Sequence, residues 1–376
     1  MFRKLNIGVV ANTAFNIFNF RLELIKALKN AGHRVVAIAP KDNYVDLLLE
    51  NNIEFIALKK LSRKGTNPVN DLMLVNELRT IYKKNRLDVV LQYTIKPNIY
   101  GTLAAKLSGT KTICTVTGLG YTFLNKNLTA KIAHQLYRFA FKNSNKVLFQ
   151  NTDDLQVFVD FNLVDKAKCD IIPGSGIDVE KFHPDFCQNR FVPRDDTTRF
   201  LMIGRLLKDK GIFEYIEAAQ LVKKQFPQTA FHVLGEIDTQ NPSAIKKEQL
   251  DNWIKDNVIV YHEHTKDTRP FICAADCVVL PSYREGMPRV ILEGMAMGKP
   301  CITTDAPGCK DSIIDGESGF LCKTADSRSL ADVLQKFVSL NKKNKQELSI
   351  NARKRAENIF SSVNINARYL DLLQKL

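Results

Sequence analysis

Short, almost wholly apolar segments alternate with longer amphipathic ones twice along this chain, and a polar, proline-marked stretch separates the two series. In the first series strands are expected at Leu5–Ala11, Val35–Ala39, Ile53–Leu58, Asp88–Gln92, Thr112–Val116, Lys146–Gln150 and Asp170–Ile172. Helices are expected between them at Arg21–Ala31, Tyr44–Asn51, Asp71–Lys84 and Asn98–Ser108. A strand that is apolar on both faces must be covered on both, which calls for a parallel sheet with helical crossovers. The stretch Asp185–Thr198 has no periodicity and reads as a linker. Strands then restart at Phe200–Ile203, Ala230–Leu234, Val258–Tyr261, Cys277–Leu280 and Cys301–Thr303. Helices alternate with them at Gly211–Gln225, around Glu248–Ile254, near Arg269–Ala274, at Arg289–Met297, Ser329–Leu340 and Glu347–Ile359. The expected fold is α/β: two Rossmann-like, doubly wound parallel-sheet domains facing across a cleft. Ligands of such sheets bind beyond the carboxyl ends of the strands, so functional residues belong there.

Composition narrows the class. With 376 residues, 45% of them hydrophobic and 25% charged, the chain is an ordinary folded protein of two domains. No apolar run approaches the roughly 18–20 residues that span a bilayer, and Met1–Ile7 leads into a strand without a secretory hydrophobic region. A cytoplasmic protein is expected. The eight cysteines are scattered without a Cys-x-x-Cys pair, and read as small buried residues in a reducing compartment.

The net charge of +14 is unevenly spread. Residues 1–185 hold 26 basic and 16 acidic side chains. From Val89 to Thr152 there are eight basic residues and no acidic one. A surface of that kind attracts phosphates, whether of a diphosphate ligand, an anionic membrane or a nucleic acid.

The strand ends choose among these. There is no Gly-x-Gly-x-x-Gly and no Walker A pattern; Gly118-Leu119-Gly120 and Gly174-Ser175-Gly176 each lack a third glycine. No Asp-x-Asp triplet is available to clamp a metal on a nucleotide diphosphate, so the protein must supply the positive charge. The strand Phe200–Ile203 runs into Gly204-Arg205, with Lys210 just before a helix; Arg205 offers a planar fork that suits phosphate oxygens. The strand Cys277–Leu280 runs into Pro281-Ser282-Tyr283-Arg284-Glu285-Gly286-Met287-Pro288-Arg289. Gly286 permits a turn, Pro288 fits the first helical position, and the amides around Met287–Val290 form an anion site. Glu285 and Glu293 flank this helix start, where carboxylates suit sugar hydroxyls rather than phosphate.

Gly204-Arg205, Lys210-Gly211, Glu285 and Glu293, spaced in this way, resemble the retaining glycosyltransferases of family 4, which have the GT-B fold. The resemblance implies that Arg205 and Lys210 grip the donor diphosphate and that Glu285 contacts donor-sugar hydroxyls. It implies further that Glu293 binds the nucleotide ribose and that Gly204 and Gly286-Met287-Pro288-Arg289 cradle phosphate. Phe20-Arg21, Ala39-Pro40, Thr94-Ile95-Lys96-Pro97-Asn98 and Thr117-Gly118-Leu119-Gly120-Tyr121 are similar to a narrower bacterial group that extends undecaprenyl-diphosphate-linked sugars. Members of that group build O-antigen, capsule or glycoprotein glycans, α-1,3-GalNAc transfer among their reactions. On this resemblance the donor is a UDP-sugar, no other cofactor and no metal are needed, and the acceptor is a polyprenyl-diphosphate-linked saccharide. Residues 1–185 would bind the acceptor through Arg21, Lys96, Thr117 and Gly118. Residues 186–360 would bind the donor, and 361–376 would form a helix crossing back to the first domain.

Two departures from the family pattern stand out. The loop after the first strand is Asn12-Thr13-Ala14-Phe15-Asn16 without a double glycine, and Thr117 stands where many members carry His or an acid. Thr117 cannot be a general base; a departing phosphate can take the acceptor proton instead, leaving positioning and electrostatics to the protein. Thr129–Lys142 sets Ile132, Leu136, Phe139 and Phe141 among Lys131, Arg138 and Lys142, a stretch suited to an anionic lipid surface. A peripheral position on the cytoplasmic face of the inner membrane follows. His262-Glu263-His264 lacks a third metal ligand and reads as a loop near the nucleotide base. The rival readings are a UDP-sugar 2-epimerase of the same architecture and a basic nucleic-acid-binding protein; neither nucleic acid nor metal is expected.

Overall fold

The computed structural model describes residues 3–62, 67–119, 128–188 and 195–376, which form two compact units. The first unit comprises residues up to Gly176 together with Ser362–Leu376; the second is Ile177–Ser361.

The first unit is a seven-stranded sheet in the order β3-β2-β1-β4-β5-β6-β7. Its strands are β1 (Asn6–Val10), β2 (Arg34–Ala39), β3 (Glu54–Ala57), β4 (Val89–Tyr93), β5 (Lys111–Val116), β6 (Lys146–Phe149) and β7 (Cys169–Ile171). Every pairing is parallel; β1, for example, lies between β2 and β4, with Val9 opposite Ala37 on one side and Leu91 on the other. The helices are α1 (Ala14–Asn30), α2 (Val45–Glu50), α3 (Pro68–Lys84), α4 (Thr102–Ser108), α5 (Leu128–Lys142) and α6 (Thr152–Asp160). Apolar cores form on both sides of this sheet, which is why β1 and β4 read as nearly continuous apolar runs. The first helix starts at Ala14 rather than Arg21, because the Thr13 hydroxyl accepts the Asn16 amide and caps it there.

The second unit is a six-stranded parallel sheet in the order β10-β9-β8-β11-β12-β13. Its strands are β8 (Thr198–Ile203), β9 (Thr229–Leu234), β10 (Val260–His262), β11 (Cys277–Leu280), β12 (Cys301–Thr304) and β13 (Gly319–Cys322). Its helices are α7 (Ile212–Gln225), α8 (Lys247–Lys255), α9 (Arg269–Ala274), α10 (Arg289–Ala296), α11 (Ser327–Ser339) and α12 (Lys342–Arg355). The edge strand β13 is absent from the sequence reading. It is only four residues long and begins on Gly319, which packs so closely on β12 that a Cβ would meet the Cys301 carbonyl at 2.1 Å.

Two sequence expectations need correction. The boundary expected at 185/186 falls at Gly176/Ile177, because Ile177 and Phe182 are buried in the second unit's core. Cys187 and Cys273 are not free thiols but a disulfide joining the Pro184–Cys187 turn to α9, with Cα atoms 5.4 Å apart. Their separation of 86 residues carried no local signal. Of the remaining cysteines, Cys114, Cys277, Cys301, Cys309 and Cys322 are buried. The middle of the expected linker, residues 189–194, lies outside the described residues.

The last helix, α13 (Ser362–Gln374), packs on α1, and Ile365, Tyr369, Leu372 and Leu373 join the core on that face of the first sheet. The Tyr369 hydroxyl lies 3.2 Å from the Thr115 hydroxyl on β5, and the Asn366 amide donates to the Glu23 carbonyl on α1. Tyr369→Ala should lower the stability of the first unit by roughly 3 kcal/mol, as large aromatic truncations do. Tyr369→Phe, which loses only the hydroxyl contact, should cost about 1 kcal/mol. Urea titration checks both, and equal losses would mean that packing of the ring is not what holds the helix.

Candidate functional site

The second unit gathers its candidate residues where β8, β11 and β12 end. After β8, Gly204 and Arg205 lead into a single 3₁₀ turn, Lys208–Lys210, closed by Gly211 in a left-handed conformation before α7. Only glycine fits at 211: φ is +75° and a Cβ would meet the Pro281 carbonyl at 2.0 Å. The 204–211 loop is thereby pressed against the loop after β11, and the Tyr283 amide donates to the Asp209 carbonyl across the junction. Gly308, in the loop after β12, closes the other side; its absent Cβ would lie 2.1 Å from the Glu285 carbonyl.

This packing brings Lys210 and Glu285 together. The Lys210 ammonium pairs with Glu285 Oε1, and the fully buried Ser282 donates its hydroxyl to the same oxygen at 2.8 Å. Ser282 is itself held from behind, since Thr304 on β12 donates to its carbonyl at 2.6 Å. Glu293, one turn into α10, accepts from Arg289 Nε at 3.0 Å and from the Thr268 hydroxyl at 3.2 Å. Arg205 is more exposed and pairs with Asp238, in the loop after β9, at 2.9 Å. Each of the three candidate cations, Arg205, Lys210 and Arg289, therefore rests on a carboxylate.

Pro288 does not occupy the first helical position. With ψ at 100° it is the residue before the helix, and its carbonyl accepts the Ile291 and Leu292 amides. Gly286 and Met287 lie in the turn that precedes it. Burial above all, with Glu285 adding to it, pushes the neighbouring Cys309 thiol up to about 12, so this cysteine stays a neutral spectator. Asp238, Ser282 and Thr268 were not singled out from the sequence. The first two lie within four residues of a strand end, which was the available signal; Thr268 precedes α9 and carried none.

In the first unit, the candidates sit beyond β4 and β5 and on α1. Lys96 is half-buried and bonded to the buried Asp71 of α3 at 2.9 Å, and Tyr100 donates to the same carboxylate at 2.8 Å. Arg21 projects from α1 over the Tyr93 ring, 3.8 Å from its centroid. Thr117 and Gly118 follow β5, whereas Gly120 and Tyr121 lie outside the described residues. On α5, Tyr137, Ala140 and Phe141 are buried, while Ile132 and Phe139 are exposed beside Lys131, Arg138 and Lys142; the apolar residues that read as one stripe are divided between core and surface. Among the described residues no helix is long and apolar enough to cross a membrane, and no group of three His, Cys, Asp or Glu side chains could hold a metal ion.

His262 of the His262-Glu263-His264 stretch stacks on His232 of β9, with Nε2 2.9 Å from Nδ1. Burial, reinforced by this neighbour, pushes His232 down to about 4, and burial lowers His262 as well. An unfolded chain takes up that proton near the ordinary 6.5, so between about 6.5 and 4 it binds more protons than the folded chain. Stability should be full above pH 6.5 and decline as pH falls toward 4, by roughly 1 kcal/mol from His232 once its partial exposure is discounted. Unfolding midpoints measured across that range should flatten in His232→Asn; an unchanged slope would contradict the assignment.

Comparison with known proteins identifies both units. Residues 8–151 match the model described as glycosyl transferase 4-like, and residues 187–355 match glycosyl transferases group 1. N,N'-diacetylbacillosaminyl-diphospho-undecaprenol alpha-1,3-N-acetylgalactosaminyltransferase of Campylobacter jejuni is 28% identical over 99% of both chains. UDP-Gal:alpha-D-GlcNAc-diphosphoundecaprenol alpha-1,3-galactosyltransferase of Escherichia coli is 27% identical over 90% of both. Among solved structures, a glycosyltransferase of Rickettsia africae superposes with a TM-score of 0.81 at 23% identity, covering 100% of this chain and 99% of that one. HepE of Anabaena, in complex with UDP and glucose, gives 0.79 at 18% identity over 99% and 100%.

Proposed function

We propose that this chain, which belongs to the GT-B glycosyltransferases built from a 4-like and a group 1 domain, moves a hexosyl or N-acetylhexosaminyl group from a UDP-sugar to a polyprenyl-diphosphate-linked saccharide. The transfer proceeds with retention at the anomeric carbon, needs no metal, and serves assembly of a cell-surface glycan. The observation that carries this reading is the Lys210–Glu285–Ser282 cluster, with Arg205 close by on the same loop as Lys210. The printed substrates of the Campylobacter and Escherichia relatives, and the UDP held by the Anabaena structure, support the donor and acceptor classes.

Arg205 and Lys210 hold the donor diphosphate, exchanging a carboxylate partner for phosphate oxygens. Glu285, released from Lys210, accepts hydroxyls of the donor sugar, and Glu293 those of the nucleotide ribose. Gly204 and the turn Gly286-Met287-Pro288-Arg289 bring backbone close to the phosphates. As the bond from the anomeric carbon to the diphosphate oxygen breaks, the two cations stabilise the charge building on that oxygen. The acceptor hydroxyl forms the new bond and its proton passes to the departing diphosphate, so no protein base is required at Thr117. The first unit takes the acceptor through Arg21, Thr117 and Gly118, while Lys96 stays committed to Asp71. The exposed Ile132 and Phe139, set among basic residues of α5, rest on an anionic membrane at its cytoplasmic face, where a lipid-borne acceptor is presented.

UDP at about 100 times its dissociation constant should raise the unfolding free energy by roughly 2.7 kcal/mol, and Glu293→Ala should abolish the thermal shift. Arg205→Ala should lower kcat more than it weakens UDP binding. A shift with GDP or ADP instead would change the donor class, and no shift with any nucleotide would contradict the donor site.

A further inference from the structure

Unpartnered polar atoms are rare in a protein interior, and each one points to strain, function or a missing partner. Among the described residues such side-chain atoms are concentrated in the first unit. Asn16 Oδ1, Arg21 Nε, Thr94 Oγ1 and Asn98 Oδ1 belong to one region of the fold, where the adjacent strands β1 and β4 give way to the segments that follow them. Ligands of doubly wound sheets bind at that end.

Arg21 is the charged member of this group. It is 3% exposed, and among the described residues it has neither a carboxylate partner nor a hydrogen bond. Side chains on a helix lean back toward its N-terminus, so Arg21 is directed toward the carboxyl end of the sheet, where the Tyr93 ring fixes its guanidinium plane. Beside Tyr93, Thr94 adopts φ +72°, a left-handed conformation that a β-branched residue reaches only under strain. Asn98 is anchored by its own amide, which donates to the Thr115 carbonyl and leaves the side-chain oxygen unused. Lys96, the other cation of this region, is already satisfied by Asp71. A buried guanidinium without a counter-charge is costly to maintain, and a phosphate is the partner that its planar fork matches best.

We infer that Arg21, held on the Tyr93 ring, is the phosphate-binding side chain of the first unit and takes a phosphate of the acceptor's diphosphate, with the Thr94 hydroxyl beside it, while Lys96 does not. This rests on the acceptor class proposed above. The same phosphate chemistry would be offered by free inorganic pyrophosphate, which serves as the separate probe.

The test compares one saccharide on two carriers, a short polyprenyl diphosphate and a neutral alkyl glycoside, in the wild type, Arg21→Met and Lys96→Met. Loss of a charge-assisted contact should raise the KM of Arg21→Met for the diphosphate acceptor about tenfold or more. Its KM for the neutral acceptor and for the donor should stay unchanged, and Lys96→Met should change neither acceptor appreciably. Equal losses on both acceptors, or a larger loss in Lys96→Met, would overturn the inference. Inorganic pyrophosphate with the nucleotide site saturated by UDP should raise the thermal midpoint of the wild type but not of Arg21→Met. Absence of that shift in the wild type would overturn it too, even if Arg21→Met fails to fold. If no lipid-linked acceptor yields product while UDP still binds, the acceptor class is wrong, and the pyrophosphate comparison then judges Arg21 alone.

Discussion

Everything proposed for the second unit depends on one close approach of backbone. The loop after β8 and the loop after β11 can touch only because residue 211 has no Cβ to strike the Pro281 carbonyl, and the loop after β12 joins them under the same restriction at Gly308. That contact sets Lys210 against Glu285 and places Ser282 behind them. A half-buried ion pair of this sort contributes little net stability, since the cost of taking both charges from water offsets their attraction. Its value is positional: a cation and a carboxylate held ready, each able to exchange its partner for a group of the substrate.

The two units solve their polar accounting differently. In the second, each candidate cation rests on a carboxylate supplied by its own sheet ends, and Glu214 alone among its described residues leaves a buried side-chain oxygen unpartnered. The first has many basic residues and no acid between Val89 and Thr152, and the buried Asp71 is committed to Lys96 and Tyr100. Arg21 and its polar neighbours are left with unused capacity. On the proposed reading, this asymmetry separates a diphosphate grip that tolerates an empty state from a site shaped around an incoming anion.

Much of this was legible in the sequence, for stated physical reasons. Strands buried on both faces are almost wholly apolar, so β1, β4, β8 and β11 declare themselves. The placement of Arg205, Lys210, Glu285 and Glu293 beyond the ends of such strands is what makes them candidates. What sequence could not supply was pairing across the fold. Asp238 meets Arg205 from another strand end, Thr268 meets Glu293 from the start of α9, and Cys187 meets Cys273 across 86 residues. Periodicity also divides poorly between core and surface on α5, where Phe141 and Phe139, two residues apart, have opposite fates.

The central claim is a retaining, metal-independent transfer between two diphosphate-bearing substrates. Its most direct test is the anomeric configuration of the product made from a UDP-hexose or UDP-N-acetylhexosamine and a polyprenyl-diphosphate-linked saccharide in the presence of EDTA, read by the proton coupling of the new linkage in NMR. The account predicts an α-linked disaccharide extension formed at an undiminished rate. A β-linked product, or turnover that disappears with the chelator and returns with a divalent cation, would contradict it.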